Sequence, residues 1–154
     1  MHFVPIDVQK HQKYVLPFRR DSFIVSFGTD KGLGDEKEYL EWLLVKSRQF
    51  PEGFVLVLEN DIPIGQVELT IKEYKGKVIG YVNLYYLVPE KRKLGFGKKL
   101  HQYAMTFFNK NGVSEYHLRV SPNNSTALAF YKNMGMEELY TEFDGSVIRM
   151  KGNI

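Results

Sequence analysis

The stretch that most constrains this chain runs from an apolar strand pattern, through a short basic loop, into an amphipathic helix pattern. The strand pattern covers Val82 to Val88. The helix pattern places apolar side chains at the i, i+4, i+7, i+8 spacing of one face, at Leu100, Ala104, Phe107 and Phe108. Between the two lies the motif Arg92-x-x-Gly95-x-Gly97. When a strand is followed by a glycine-bearing loop and the start of a helix, several backbone amides and the helix dipole are directed toward the loop, where they can bind an anion.

The charge around this loop suits a phosphate-bearing ligand, the simplest being a pyrophosphate. Glycine lets the backbone approach a phosphate without an intervening Cβ. Five cations flank the loop: Lys91, Arg92, Lys93, Lys98 and Lys99. The glycine spacing is not that of a Walker loop, and a Rossmann fingerprint needs a third glycine in phase. Taken alone, a helix entry with a solvated basic face explains the loop nearly as well.

The composition indicates an ordinary globular chain, predicted as a single domain over residues 1–154. The absence of cysteine excludes disulfides, thiolate metal sites and a cysteine nucleophile, and the four histidines show no ligand spacing, so we predict no metal. No apolar run is long enough to span a bilayer. Because the N-terminus also lacks a signal-peptide pattern, we expect a cytoplasmic protein.

Hydrophobic patterning predicts an α+β fold with a mixed, largely antiparallel sheet of about seven strands flanked by about four helices. A largely helical segment covers residues 8–27, and we expect Pro17 to split it. Asp35 is a predicted N-cap for a helix that reaches Gln49. Strands are predicted over residues 2–6, 54–59, 64–72, 78–88 and 113–120, followed by a helix from near Asn124 and a hairpin across Asp144-Gly145. The strand–helix–strand order over residues 78–120 implies a right-handed parallel crossover.

Two motifs in this order resemble the GNAT (GCN5-related N-acetyltransferase) superfamily. The first is Leu87-Val88-Pro89-Glu90-Lys91-Arg92-Lys93-Leu94-Gly95-Phe96-Gly97, similar to the family's Arg/Gln-x-x-Gly-x-Gly/Ala cofactor motif after a strand. The second is Asn124-x-x-Ala127-x-x-x-Tyr131, followed by Gly135-Met136 where the family usually has Gly-Phe. Either motif alone is weak, but both in order, separated by one helix and one strand, are fairly specific.

The resemblance implies acetyl-CoA as the cofactor. Its pyrophosphate would lie on the amides of residues 93–98, and its pantetheine arm along the splayed end of the strand ending at Val88. Two parallel strands that part leave unpaired backbone groups that such an arm can satisfy. The implied cofactor-binding residues are Tyr86, Leu87, Val88, Arg92, Lys93, Leu94, Gly95, Phe96, Gly97, Lys98, Asn124 and Tyr131.

The implied chemistry is the attack of an amine on a thioester. It needs a neutral amine, a polarised carbonyl and a proton for the leaving thiolate. Tyr131 matches the family's general acid, although a core tyrosine on an amphipathic helix is the alternative. The three positions that usually carry the family's base hold Tyr81, Asn83 and Arg119 instead. Glu68 is our predicted base, acting directly or through a water held by Asn83, and a solvated strand glutamate is the open alternative.

We therefore expect an N-acetyltransferase that moves an acetyl group from acetyl-CoA to an amine of a small molecule or peptide by direct attack. The missing family base leaves open a non-catalytic acyl-CoA-binding regulatory domain on the same fold. A nucleic-acid partner is disfavoured because the aromatics do not interleave with the basic residues as a stacking platform requires. No membrane partner is expected, and the sequence leaves open whether the chain forms a homodimer.

Overall fold

The computed structural model describes residues 1–154 and contains one mixed sheet. Its strands are β1 (His2–Pro5), β2 (Phe54–Glu59), β3 (Ile62–Tyr74), β4 (Lys77–Leu87), β5 (Glu115–Val120), β6 (Glu137–Glu142) and β7 (Val147–Asn153). They are ordered β1-β2-β3-β4-β5-β7-β6 across the sheet. Every neighbouring pair is antiparallel except β4–β5, which is parallel. The predicted mixed, largely antiparallel sheet is confirmed.

Four α-helices cover the sheet, together with one 3-10 turn at Pro89–Lys91. They are α1 (Val8–Phe27), α2 (Glu36–Gln49), α3 (Phe96–Lys110) and α4 (Ser125–Asn133). The predicted cap at Asp35 is confirmed, because its side chain accepts a hydrogen bond from the Lys37 amide. None of the four helices combines the length and the apolar character needed to cross a bilayer.

Helix α1 continues through Pro17, so the prediction that this proline splits it is wrong. Proline removes one intrahelical hydrogen bond and clashes with the preceding turn. Val15 and Phe18 are both buried on either side of it, and they anchor α1 to the sheet. Packing of this apolar face therefore outweighs the local preference of proline, as is general for helices in folded proteins.

The two faces of the sheet carry separate apolar clusters. On one face, Leu100, Phe107 and Phe108 of α3 pack against Val67 and Leu69 of β3. On the other, Val15, Phe18 and Leu43 of α1 and α2 pack against Phe54 and Leu56 of β2. Gly80 lets α3 approach β4, because a Cβ there would lie 2.5 Å from the Phe108 ring.

Two irregularities of β4 shape its edges. β4 and β5 pair only at Gly80 with Tyr116 and at Tyr81 with His117, although both strands continue further. The predicted splay of this parallel pair is therefore present. On its other edge, β4 carries a bulge, because Glu68 pairs with Leu84 while Leu69 pairs with Val82. Asn83 is the extra residue of this bulge.

Candidate functional site

The loop between β4 and α3 offers backbone amides that have no partner within the chain. The amides of residues 93–98 donate no hydrogen bond to another group of the chain. Gly95 is the N-cap of α3, with a left-handed φ of 86° and no side-chain cap. No atom lies within 4 Å of the position that a Cβ on Gly95 would take, so the loop is open there. Free amides at a helix start with an open approach fit a pyrophosphate.

The two glycines of the motif have different physical roles. Gly95 supplies a left-handed backbone conformation that a residue with a Cβ rarely adopts. Gly97 has an ordinary helical backbone, but a Cβ there would lie 3.1 Å from the ring of Phe130 on α4. The second glycine therefore allows α3 and α4 to pack closely beside the loop.

The five cations around the loop divide into two groups. Lys91 forms an ion pair with Glu59, and Arg92 forms one with Asp21. Lys93, Lys98 and Lys99 form no ion pair and are exposed. Only these three lysines are free to raise the positive potential at the loop amides.

Arg92 fastens the loop to α1 and to the end of β4. Its Nη2 donates to Oδ2 of Asp21 at 2.6 Å, and its Nε donates to the carbonyl oxygen of Leu87 at 2.9 Å. The hydroxyl of Tyr86 donates to the same Asp21 oxygen at 2.6 Å. Both side chains are thus engaged with the protein. Their geometry favours a role in positioning the loop over direct contact with a phosphate.

Backbone groups at the end of β4 are partly used by the fold. The amide of Val88 donates to the carbonyl oxygen of Ile64 at 2.8 Å, and the Leu87 carbonyl is taken by Arg92. Beyond Tyr81, no strand pairs with β4 on the side facing β5. The gap between the two strands is where a ligand with amide groups could pair with the remaining backbone groups.

Two residues of the second motif belong to α4: Asn124 is its N-cap, and Tyr131 lies within the helix. The side-chain oxygen of Asn124 accepts from the Ala127 amide at 3.2 Å, so Asn124 caps the helix. Its side-chain nitrogen donates to no group of the chain. Asn124 therefore keeps a donor that a ligand could use.

Tyr131 has a hydroxyl that makes no hydrogen bond within the chain, and its ring lies 6.5 Å from that of Tyr85. Burial, assisted by nearby Tyr116, raises the pKa of Tyr131 to about 12. The phenol is therefore fully protonated at neutral pH and is a free donor. Because its pKa lies about three units above that of a thiol, it would stabilise a thiolate mainly by donating a hydrogen bond to it.

Glu68 is buried, with 4% of its surface exposed, so it is not a solvated strand glutamate. The Tyr39 hydroxyl donates to its Oε2 at 2.5 Å, and Nε2 of Gln66 donates to the same oxygen at 2.8 Å. Burial raises the pKa of Glu68 to about 7, although both hydrogen bonds and Arg19 act in the opposite direction. A carboxyl group with this pKa gains and loses a proton near neutral pH, as a general base must.

The positions that carry the base elsewhere in the resembled family hold no carboxylate in the structure. Tyr81 is buried on β4, and Arg119 on β5 donates to Glu142 at 2.9 Å. Asn83, at the bulge, donates from Nδ2 to the Thr70 hydroxyl at 3.1 Å. Its side-chain oxygen is left to hold a water, as the relay from Glu68 would need.

The sequence did not predict the contacts of three residues in this region: Asp21 with Arg92, and Tyr39 and Gln66 with Glu68. Asp21 lies 71 positions from Arg92 and Tyr39 lies 29 positions from Glu68, so no local spacing connects them. The only signal was for Gln66, which shares a strand face with Glu68 through the two-residue period of a strand.

Comparison with known proteins points to one family. The sequence profile described as the acetyltransferase (GNAT) family matches residues 17–136. An uncharacterised N-acetyltransferase of Methanocaldococcus jannaschii is 27% identical over 103 residues, which is 65% of this chain. The match covers 44% of that relative, so the chain spans less than half of the length of the curated protein it matches.

Solved structures share the whole fold. PaiA N-acetyltransferase from Thermoplasma acidophilum, in complex with coenzyme A, superposes with a TM-score of 0.77 at 22% identity, covering 99% of this chain and 98% of that one. A ribosomal-protein-alanine N-acetyltransferase from Brucella melitensis gives a TM-score of 0.76 at 15% identity, covering 100% of both chains. At these identities the likeness concerns the fold.

Proposed function

Because this chain belongs to the acetyltransferase (GNAT) family, we propose that it transfers the acetyl group of acetyl-CoA to an amine of a small molecule or peptide. The observation that carries the proposal is the row of free amides at residues 93–98, beside the gap between β4 and β5. The cofactor is acetyl-CoA, in line with the coenzyme A held by the structurally similar PaiA enzyme.

The loop holds the pyrophosphate through backbone groups. The amides of residues 93–98 donate to it, and the positive end of the α3 dipole adds to their attraction. Lys93, Lys98 and Lys99 contribute charge at the rim, while Arg92 and Asp21 keep the loop in place. The pyrophosphate also fits sterically, since Gly95 leaves the approach to these amides open.

Tyr131 stabilises the leaving group. When bound, acetyl-CoA supplies an activated acetyl thioester whose sulfur departs as a thiolate. The Tyr131 hydroxyl would donate a hydrogen bond to that sulfur as negative charge develops on it, and the pKa of about 12 keeps the proton on the phenol. Its lack of a partner within the chain means that no existing hydrogen bond must be broken.

Glu68 receives the proton that the attacking amine loses. It does so directly or through a water held at Asn83, which neighbours it across the β3–β4 bulge. Its pKa of about 7 places the ionised, proton-accepting form in the neutral range. The Tyr39 and Gln66 donors orient the carboxylate.

The test is amine-dependent release of free thiol from acetyl-CoA by the intact protein, with a panel of primary amines. We expect release that requires both the amine and the protein. Calorimetric titration with acetyl-CoA runs in parallel. Binding of acetyl-CoA without thiol release for any amine would overturn the transferase and favour the non-catalytic acyl-CoA-binding alternative.

A further inference from the structure

Three basic side chains from three strands surround one aromatic ring, on the sheet face covered by α1 and α2. The Lys72 amine lies 3.5 Å from the centroid of the Tyr81 ring. The guanidinium carbons of Arg119 and Arg149 lie 5.7 Å and 5.8 Å from the same centroid. We call Lys72, Arg119 and Arg149 the basic cluster.

The positive charge of the basic cluster is only partly balanced. Its one carboxylate partner is Glu142 on β6, whose Oε1 accepts from Nε of both Arg119 and Arg149, at 2.9 Å and 3.0 Å. Lys72 forms no ion pair. Three cations therefore share one carboxylate, and Lys46 of α2 adds further positive charge nearby.

No other group of the chain compensates for this excess. His117, beneath the cluster, has a pKa lowered mainly by burial, so its ring is neutral and accepts from Nη1 of Arg149 at 2.8 Å. Glu115 lies behind His117, where it pairs with Lys77 and with the His117 ring. The effect is visible at Lys72, whose pKa falls to about 8 through partial burial and repulsion by Arg119 and Arg149.

The members of the basic cluster differ in how accessible they are to a ligand. Arg149 is 4% exposed and fixed by Glu142, His117 and stacking on Tyr74, so it forms the base of the cluster. The Arg119 side chain is 31% exposed, and Lys72 is exposed at the rim. Arg119 and Lys72 are thus the members that a ligand can reach.

The basic cluster lies beside the proposed reaction centre. Tyr81, its common neighbour, is the last β4 residue paired with β5 before the strands part, and its partner is His117. Arg119 lies two residues after His117 on β5, on the same strand face. Asn83 lies two residues after Tyr81 on β4, at the bulge next to Glu68. A group held by the cluster would therefore lie near an amine presented at the gap.

We propose that the basic cluster binds a carboxylate or phosphate carried by the acceptor, so that the acetylated amine belongs to an anionic substrate. This inference rests on the proposed transferase function. A guanidinium presents a planar set of donors that matches a carboxylate or phosphate, and an ammonium adds a point charge. The same charges repel polycationic acceptors such as polyamines.

The test compares amines matched in size that differ in charge: β-alanine with β-alaninamide, and O-phosphoethanolamine with ethanolamine. Two peptide amides beginning with Asp-Ala and Asn-Ala distinguish an acidic peptide from a small molecule as the source of the anion. We expect the anionic member of at least one pair to have a kcat/KM about tenfold or more above its neutral partner, the scale of a hydrogen bond to a charged group.

The variant Lys72→Met assigns this preference to the basic cluster. It should lower kcat/KM for the anionic member about tenfold, mostly through KM, and leave the neutral member unchanged. Lys10→Met, at an exposed lysine of α1 without an ion pair, is the matched control and should change neither. Arg119→Lys keeps the charge and removes the planar donor set. It should lower kcat/KM for the anionic member without unfolding the chain.

Equal kcat/KM within every pair, or a preference that survives Lys72→Met, would overturn the inference while leaving the transferase intact. If no amine releases thiol, the transferase itself fails. Calorimetry on the coenzyme A-loaded protein then decides the inference separately. Binding of an anionic member that Lys72→Met weakens would support the basic cluster as an anion site, and equal binding of both members would contradict it.

Discussion

Replacing Glu68 by glutamine should remove a pH dependence of stability that the structure assigns to one buried carboxyl group. The pKa of Glu68 is raised from 4.5 to about 7, chiefly because burial disfavours the charged form. Between these values the folded chain holds a proton that the unfolded chain has released. The contribution of Glu68 is therefore fully present below about pH 4.5 and is lost as the pH rises to about 7.

The size of this effect follows from the pKa change. Each pH unit within the window lowers the free energy of unfolding by about 1.4 kcal/mol, which sums to about 3 kcal/mol across it. The glutamine variant has no ionisable group there and keeps the shape of the side chain. The difference in stability between wild type and Glu68→Gln should thus change by about 3 kcal/mol between pH 4.5 and about pH 7.

Urea unfolding at a series of pH values measures this difference. Trp42 is the single tryptophan, and its ring lies 6.1 Å from that of Tyr39, the residue that donates to Glu68, so its fluorescence reports on this region. Glu41→Gln, at an exposed glutamate of α2, is the matched control and should follow wild type at every pH. If the wild-type and Glu68→Gln stabilities run parallel across the window, burial does not raise the pKa of Glu68.

The same variant separates a catalytic from a structural Glu68. If Glu68 is the base, wild-type kcat/KM should rise with pH through about 7, and Glu68→Gln should lose that limb or fall at all pH values. If the variant abolishes the stability slope and leaves the rate profile unchanged, Glu68 is a structural residue. The enzyme would then select the neutral fraction of the amine.

Three further variants test the remaining parts of the site. Gly95→Asp puts a Cβ and a negative charge at the proposed pyrophosphate position, and it should abolish acetyl-CoA binding in calorimetry with unchanged circular dichroism. Gly112→Asp, at another left-handed glycine in open space, is the control and should bind acetyl-CoA normally. Tyr131→Phe should lower kcat about 100-fold or more with little change in cofactor affinity, and an unchanged kcat would make Tyr131 a packing residue. Asp21→Asn should weaken acetyl-CoA binding severalfold in calorimetry, because a hydrogen bond between two charged groups is stronger than one to a neutral amide and its loss loosens Arg92. Unaltered affinity would show that this ion pair does not position the loop.

Features that depend on neighbours in sequence were predictable. The strand, glycine loop and helix between Val82 and Phe108 follow from periods of two and 3.6 residues and from glycine chemistry. The hairpin across Asp144-Gly145 is confirmed with positive φ at both residues, as a type I′ turn requires. Helix α3 starts at Phe96, directly after the left-handed N-cap at Gly95, and hydrophobic periodicity does not report this boundary.

Features that depend on distant parts of the chain were not predictable from local patterns. Pro17 stays inside α1 because Val15 and Phe18 are held by the sheet, which the helix pattern alone does not contain. The burial of Glu68 requires Tyr39 of α2 to lie above β3, and the basic cluster needs β3, β5 and β7 to present Lys72, Arg119 and Arg149 on one face. These contacts exist only once the sheet order is formed.

The most direct test of the proposed reaction follows an isotopically labelled acetyl group from acetyl-CoA in a single turnover, with product and protein analysed by mass spectrometry. Direct attack predicts that the label moves to the acceptor nitrogen, with one free thiol per acetylated amine and none of the label on the protein. Label found on a side chain of the protein, or released as acetate while the amine stays unmodified, would contradict direct N-acetyl transfer.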